Sequence, residues 1–204
     1  MRAHLRAGIA IYNAGNYHAA HDAWEERWLD LAGNDERFLH GLIQFTAAVH
    51  HAQNRNWVGA TGLAESAREY LTPLPSPYRG VDIASVRTSL AALRADPERI
   101  ERAPPPRLTH EGRALGLADL DFDASAVAAA VFAETGEYDE AMVERAVEYA
   151  RADLDADRET SPFVTLVMDF ARGGNRAIVH QRLAEHTDRR AARERDVDGL
   201  FEAS

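Results

Sequence analysis

A histidine and a carboxylate, His21 and Glu25, lie four residues apart near the start of the chain. In an α-helix, which turns by about 100° per residue, these two side chains and Trp28 share one face. An imidazole and a carboxylate at this spacing can bind one metal ion, exchange protons with a substrate, or hydrogen bond to each other. Because indoles such as those of Trp24 and Trp28 are typical of a buried helix face, we expect the pair to be half-buried and to need polar partners.

The following helix offers such partners. Beside an apolar stripe it carries a second, more polar stripe at spacings of four, three and four residues, formed by His40, Gln44, Ala47 and His51. A connection of only a few residues around Gly33 predicts that the two helices run antiparallel. The polar stripe then faces His21 and Glu25 across the seam between the helices.

Two kinds of chemistry fit this cluster. In the first, His21, Glu25 and His51 are the ligands of a divalent metal ion such as Zn²⁺, with His50 as an alternative to His51, and the ion supports metal-assisted hydrolysis. The full His-Glu-x-x-His pattern of metalloproteases is absent, so the third ligand depends on how the helices pair. In the second, the site is metal-free, and Glu25 is a catalytic base with His21 or His51 as its partner.

Two further interpretations stay open. A small anionic ligand can be held by Arg37 at the entrance of the seam, with Gln44 and His51 as hydrogen-bond donors and Trp28 as a further contact. Alternatively, the polar cluster only locks helix packing, and the helical hairpins are a scaffold for a protein partner or a homo-oligomer. The sequence therefore leaves open whether the protein is an enzyme.

The same residues carry a resemblance to a known family. The H-x-x-x-E-x-x-W motif that begins at His21, the segment RFLHGLIQ at 37–44, and His51 ahead of Asn56 resemble the domain-of-unknown-function 309 family over about residues 9–72. The resemblance implies an α-helical fold but no particular activity. It also implies matching family positions at His21, Glu25, Trp28, Arg37, Gln44 and His51.

Two residues depart from the pattern of that family. Asp22 stands where glutamate is common, and Arg55 stands where glycine is usual. The resemblance does not cover the half of the chain after Pro106, so it implies nothing about the role of that half.

Apolar residues recur at helical spacing through most of the chain, which predicts an all-α fold. The predicted helices cover residues 2–14, 17–31, 35–54, 57–71, 83–94, 124–134, 138–156, 162–171 and 174–186. We expect an antiparallel helical-hairpin bundle at 1–95, a proline-rich linker with a short hairpin or irregular loop at 96–123, and an additional C-terminal helical segment at 124–204.

A weak internal repeat links the predicted hairpins. Tyr17 and Trp57, 40 residues apart, each follow an asparagine and have an alanine three residues later, and Tyr138 begins a similar stretch. This pattern is typical of tetratricopeptide-like turns, in which an aromatic ring fills the gap between helices and the alanine permits close approach. The second copy has Thr61 where the first has His21, so a hairpin of this shape does not require the histidine.

The composition limits the cellular setting and the partners. The chain has 33 acidic and 23 basic residues and a formal net charge of -10, and because lysine is absent every basic residue is arginine. Such a surface repels phosphate backbones, so we expect no nucleic-acid partner. Cysteine is absent, and no apolar run approaches the roughly 18 residues that a membrane helix needs, which favours a cytoplasmic protein without membrane contact.

The arginine-only, acid-rich surface is typical of proteins from salt-loving archaea. Its negative charges repel one another at low ionic strength, and concentrated salt screens that repulsion. We therefore expect the fold to depend on salt; codon use biased toward GC is the alternative explanation of the composition.

Overall fold

The computed structural model describes residues 1–158 and 160–202, with the backbone alone for 197–202. The described residues form nine α-helices and one small sheet, which confirms the predicted all-α class. The helices are α1 (Arg2–Asn13), α2 (Tyr17–Trp28), α3 (Gly33–Gln53), α4 (Trp57–Leu71), α5 (Ile83–Ala95), α6 (Phe122–Thr135), α7 (Glu140–Asp155), α8 (Pro162–Arg172) and α9 (Arg176–Glu202). The two strands are β1 (Thr109–His110) and β2 (Arg113–Ala114).

Contacts between the elements divide the chain into two compact units, Met1–Leu120 and Asp121–Ser204. In the first unit each helix from α1 to α4 packs against the helix that follows it, and the short turns after α1, α2 and α3 make those neighbours antiparallel. In the second unit α8 contacts α6, α7 and α9. No helix among the described residues has both the length and the apolar character needed to cross a membrane.

Four interhelical turns among the described residues share one backbone geometry. Their left-handed residues have positive φ angles of 88°, 58°, 56° and 48°; they are Gly15, Arg55, Glu137 and Asp157. In each turn the amide of the next residue donates to a carbonyl oxygen five residues earlier; the donors are Asn16, Asn56, Tyr138 and Arg158. This is the Schellman ending of a helix, in which a left-handed residue reverses the chain. All three copies of the internal repeat begin at such a turn, with the third displaced by one residue, but the fourth turn has the same geometry outside the repeat.

The segment that was predicted as a proline-rich linker packs on the first unit up to Leu120. It contains a 3-10 helix at Pro97–Glu101 and a hairpin formed by β1 and β2, which is one of the two structures expected there. Asn13 of α1 holds the segment. Its Nδ2 donates to the carbonyls of Leu108 at 2.9 Å and Leu115 at 2.8 Å, and its Oδ1 accepts from the Leu108 amide at 2.8 Å.

A buried carboxylate, that of Asp153 in α7, joins three elements of the second unit. It accepts from Arg190 Nη1 at 2.7 Å, from Arg158 Nη1 at 2.9 Å and from Ser161 Oγ at 2.7 Å. Burial raises the pKa of Asp153, but these donors and their charges outweigh it, so the pKa lies below its usual range. The bond to Arg190 also ties α9 to α7 beyond residue 186, where the sequence predicted that the helix ends.

Candidate functional site

Helix α2 buries one face and turns the other toward solvent. On the buried face the most completely covered side chains are Ala20, Ala23 and Trp24. The indole of Trp24 lies directly over Gly8 of α1, where any side chain would overlap the ring. Because this contact fixes the rotation of α2, it also fixes the direction in which His21 and Glu25 project.

Three metal-ligating side chains converge on the outer face of α2. His21 Nδ1 donates to Asp22 Oδ1 at 2.9 Å and lies 3.8 Å from Glu25 Oε2. One ligand atom from each of the three residues lies within 4.8 Å of the other two, and no second such group occurs among the described residues. We call His21, Asp22 and Glu25 the His-Asp-Glu triad.

The triad lies at the solvent edge of the first unit. The side chains of His21 and Asp22 are 29% and 21% exposed, and that of Glu25 is 50% exposed. The imidazole is thus half-buried, as the sequence predicted. The carboxylate of Glu25 is more exposed to solvent than a position between two packed helices would be. A solvated ion can reach all three groups without any change in helix packing.

Hydrogen bonding dominates the electrostatics of the triad. The bond to Asp22 raises the pKa of His21, burial opposes this effect, and the charge of Glu25 adds to it. Burial alone would raise the pKa of Asp22, but the bond from His21 and the nearby imidazole of His18 bring it below its usual range. The carboxylate of Asp22 is therefore ionised near neutral pH and is available as a ligand.

His51, the third ligand expected from the sequence, lies outside the triad. Asn56 Nδ2 donates to His51 Nδ1 at 2.8 Å, and Asn56 Oδ1 accepts from the amide of Gly59 at 3.0 Å. His51 thus orients the residue that caps the start of α4. Among the described residues, no hydrogen bond joins His51 to the triad, and the ligand set of His21, Glu25 and His51 stays a prediction.

The residues predicted to bind an anionic ligand do not lie together. Two of them, Trp28 and Gln44, belong to a cluster around His40, and the third, Arg37, is exposed. The His40 ring stacks on Tyr70, with 4.1 Å between ring centroids, and lies 4.6 Å from the Trp28 ring. Gln44 Nε2 donates to His40 Nε2 at 3.3 Å. Trp28 and Gln44 therefore meet around His40, while Arg37, the expected anion contact, is exposed.

One residue beside the triad is absent from the predicted site. His18 Nδ1 lies 3.5 Å from Asp22 Oδ2, and its ring centroid lies 5.4 Å from that of His50 in α3. The sequence did contain a signal for it, because positions 18, 21, 22 and 25 follow the i, i+3, i+4, i+7 spacing of one helix stripe. All four positions of that stripe carry metal-ligating residue types.

The fold and the site together define an α-helical protein whose N-terminal hairpins present a face rich in histidine and carboxylate. Residues 5–63 match the sequence model of the family described as a domain of unknown function (DUF309), so a DUF309 domain spans this part of the chain. The match confirms the resemblance seen in the sequence, and it contains the whole triad. No curated protein matches the chain.

Proposed function

We propose that the DUF309 domain of this protein binds a divalent transition-metal ion through the His-Asp-Glu triad. The convergence of the three ligand atoms within 4.8 Å carries this proposal. Imidazole nitrogen and carboxylate oxygen are the ligands that zinc and related ions accept in catalytic sites, where three protein ligands leave a position for water or substrate.

The distances in the triad fit a single ion. Two ligand atoms on one tetrahedral zinc, each about 2.0–2.1 Å from it, lie about 3.3 Å apart. The His21–Asp22 and His21–Glu25 separations of 2.9 Å and 3.8 Å lie on either side of that value. Small rotations of exposed side chains therefore suffice, and the rigid backbone of α2 keeps the ligands together without an ion.

The openness of the site supports metal-assisted hydrolysis as the activity. A bound divalent ion supplies a hydroxide at neutral pH by lowering the pKa of a coordinated water molecule. The triad can occupy three positions of such an ion, and its solvent-exposed side leaves the remainder free. Glu25, the most exposed of the three, is also placed to accept a proton from a neighbouring water molecule.

Metal titration of the untagged full chain tests this proposal. Calorimetric titration with Zn²⁺ at about pH 8, where imidazole is mostly neutral, is expected to show binding that His21→Gln and Asp22→Asn each weaken by more than about tenfold. Glu26→Gln is the matched control, because Glu26 is an exposed carboxylate on the same helix outside the triad. His51→Gln tests the ligand set predicted from the sequence, and we expect it to bind as the wild type does.

The alternative of a helical scaffold, with or without a protein partner, predicts a different pattern. A purely structural triad would show no zinc binding, and His21→Gln would lower the melting temperature measured by circular dichroism. If His21→Gln abolishes zinc binding and leaves the melting temperature unchanged, the result supports the metal site. For hydrolysis, zinc-loaded protein is assayed on chromogenic carboxylate and phosphate esters, and turnover that survives His21→Gln would contradict the assignment.

A further inference from the structure

A small cavity lies in the first unit beneath the proline-rich segment and has a volume of about 140 Å³. Helix α3 lines it with Phe45 and Val49, and helix α5 lines it with Leu93 and Ser89. The first three of these side chains are almost fully buried, so the floor of the cavity is hydrocarbon. Its outer wall is formed by the 3-10 helix and residues 103–106. We call this space the proline cavity.

The outer wall suits an apolar interior because prolines form most of it. A backbone N–H that faces a dry cavity would lack a hydrogen-bond partner, and the three prolines at 104–106 have no N–H. Tyr12 Oη donates to the carbonyl of Pro106 at 3.0 Å, and Asn13 holds Leu108 just beyond it. The stiff segment is therefore fixed at its far end and keeps the space over α3 and α5 open.

The volume of the proline cavity fits one small hydrocarbon group. A protein cavity of about 150 Å³ lined by leucine, isoleucine and phenylalanine stays free of water and binds benzene. Of the two polar lining residues, Ser89 already donates its hydroxyl hydrogen to the carbonyl of Ser85 at 2.9 Å. A guest inside the cavity therefore meets hydrocarbon on most sides, and we expect it to be a ring or a branched alkyl group.

The other polar lining residue, Arg99, lies at the mouth of the cavity. It is exposed, and its side chain makes no ion pair or hydrogen bond within the part of the chain that the structure describes. Nearby arginines differ, since Arg94 pairs with Glu65 and Arg102 pairs with Asp96. In a chain with a net charge of -10, a guanidinium that has no carboxylate partner and lies beside an apolar cavity can bind the anionic end of a ligand.

We propose that the proline cavity binds a small carboxylate, whose ring or branched alkyl group of about six carbon atoms fills the cavity and whose carboxylate pairs with Arg99. A guanidinium and a carboxylate form two parallel hydrogen bonds, which orients the guest at the mouth. The cavity shares no residue with the His-Asp-Glu triad, so the inference is independent of the metal site. Benzoate has the required size and charge and serves as the probe.

Ligand-detected NMR tests the proposal on the full chain, at the lowest potassium chloride concentration that keeps it folded. Dissociation constants are obtained from saturation-transfer titrations with benzoate, with benzyl alcohol, which lacks the charge, and with acetate, which lacks the ring. We expect benzoate to bind about fivefold more tightly than benzyl alcohol, since an exposed ion pair contributes up to about that factor. Acetate should bind more than about tenfold more weakly than benzoate, because each buried CH₂-sized group contributes roughly a factor of four.

Two substitutions assign the binding to the cavity. Ser89→Leu places a larger side chain there and should weaken benzoate binding by more than about tenfold. Thr88→Leu is the matched control, because Thr88 is exposed on α5 and its hydroxyl also donates to the carbonyl four residues earlier. Arg99→Gln should reduce the affinity for benzoate to that for benzyl alcohol, whereas Arg107→Gln, at an exposed position outside the lining, should not change it.

Absence of benzoate binding to the wild type overturns the inference, and so does binding that Ser89→Leu leaves unchanged. Equal affinities for benzoate and benzyl alcohol would contradict the pairing with Arg99 and hence the carboxylate. If Ser89→Leu lowers the melting temperature, Ala103→Leu provides the same test from the exposed mouth of the cavity. None of these variants alters the triad, so zinc binding is expected to persist in all of them.

Discussion

At the scale of single residues, the backbone of Arg55 in the turn between α3 and α4 has a left-handed conformation. Its φ is 58°, and the flanking amides of Arg55 and Asn56 donate to the carbonyls of Ala52 and His51 at 3.0 Å and 2.9 Å. These bonds fix the chain reversal, so Arg55, a residue with a Cβ, is held in an unfavourable backbone conformation. Residues with a Cβ lose about 1–2 kcal/mol in this region, and glycine does not.

We therefore expect Arg55→Gly to stabilise the first unit. The relief of the left-handed strain is partly offset by the greater backbone freedom of glycine in the unfolded chain, which leaves a gain of about 1 kcal/mol in the free energy of unfolding. Urea denaturation followed by circular dichroism measures it. The family resemblance gives the same direction, because glycine is usual at this position.

Two control variants separate the backbone effect from the loss of a charge. Arg55 also pairs with Glu101 at 2.7 Å, and the two side chains are 75% and 43% exposed, so the pair contributes about 0–1 kcal/mol. Glu101→Gln removes the pair alone, and Arg55→Ala removes it while keeping a Cβ in the left-handed region. A gain from Arg55→Ala as large as that from Arg55→Gly would contradict the explanation.

The spacing of residues predicted part of the candidate site, and local side-chain geometry decided the remainder. The four-residue interval between His21 and Glu25 does place both on one face of α2. Asp22 lies about 100° from His21 but only about 60° from Glu25 around an ideal helix, so it belongs to the same stripe, and its short side chain closes the remaining distance to His21. The orientation of His51 follows from the capping of α4 by Asn56, and no periodicity in α3 contains that information.

At the scale of secondary-structure elements, the packing of α1 against α2 depends on one glycine. A Cβ at position 8 would overlap Trp24 Nε1, and the indole is fully buried and donates to the carbonyl of Leu5 at 3.4 Å. One of the overlapping groups would have to move. Either α1 separates from α2 or the indole leaves its rotamer, and both change the direction of the triad.

Gly8→Ala is therefore expected to destabilise the first unit despite the better helix propensity of alanine. Overpacking of this kind costs about 1–3 kcal/mol, which outweighs the roughly 0.5–1 kcal/mol that alanine gains over glycine inside a helix. Gly62→Ala is the matched control, because a Cβ on Gly62 in α4 meets nothing within 4 Å. Urea denaturation should show opposite signs for the two variants, and equal stabilisation by both would disprove the proposed contact.

The existence of the helices was predictable from sequence, and some of their ends were not. Apolar periodicity predicted, in order, the nine helices that the described residues form, with most ends within two residues. The predicted end of α2 at residue 31 overshoots Trp28, because the following turn lacks a glycine or proline that would mark it. Helix α9 continues past residue 186 because Arg190 reaches Asp153 of α7, a tertiary contact that periodicity cannot reveal.

At the scale of the whole molecule, each unit has its own apolar core and one polar side chain that joins distant parts of that unit by hydrogen bonds. In the first unit this is the amide of Asn13, which holds the 96–120 segment, and in the second it is the carboxylate of Asp153. The proposed metal site uses only side chains of the first unit. Variants at the triad are therefore expected to leave the Asp153 network unchanged.

The acidic surface leads to a prediction about salt. The formal net charge is -10, and all 23 positively charged side chains are arginines. Many of them form ion pairs with carboxylates such as those of Asp35 and Glu65. The remaining negative charges repel one another over a screening length of about 10 Å at 0.1 M salt and about 3 Å at 1 M. Because folding brings these charges together, low salt penalises the folded state.

We expect the protein to lose helical structure below about 1 M potassium chloride and to regain it when salt is restored. Far-ultraviolet circular dichroism across a salt series measures this change. Sucrose distinguishes the cause, because it favours compact states by exclusion from the surface but does not screen charge. If screening is responsible, sucrose in dilute buffer will not restore the helical signal, whereas full helicity in dilute buffer alone would show that the acidic surface does not make the fold depend on salt.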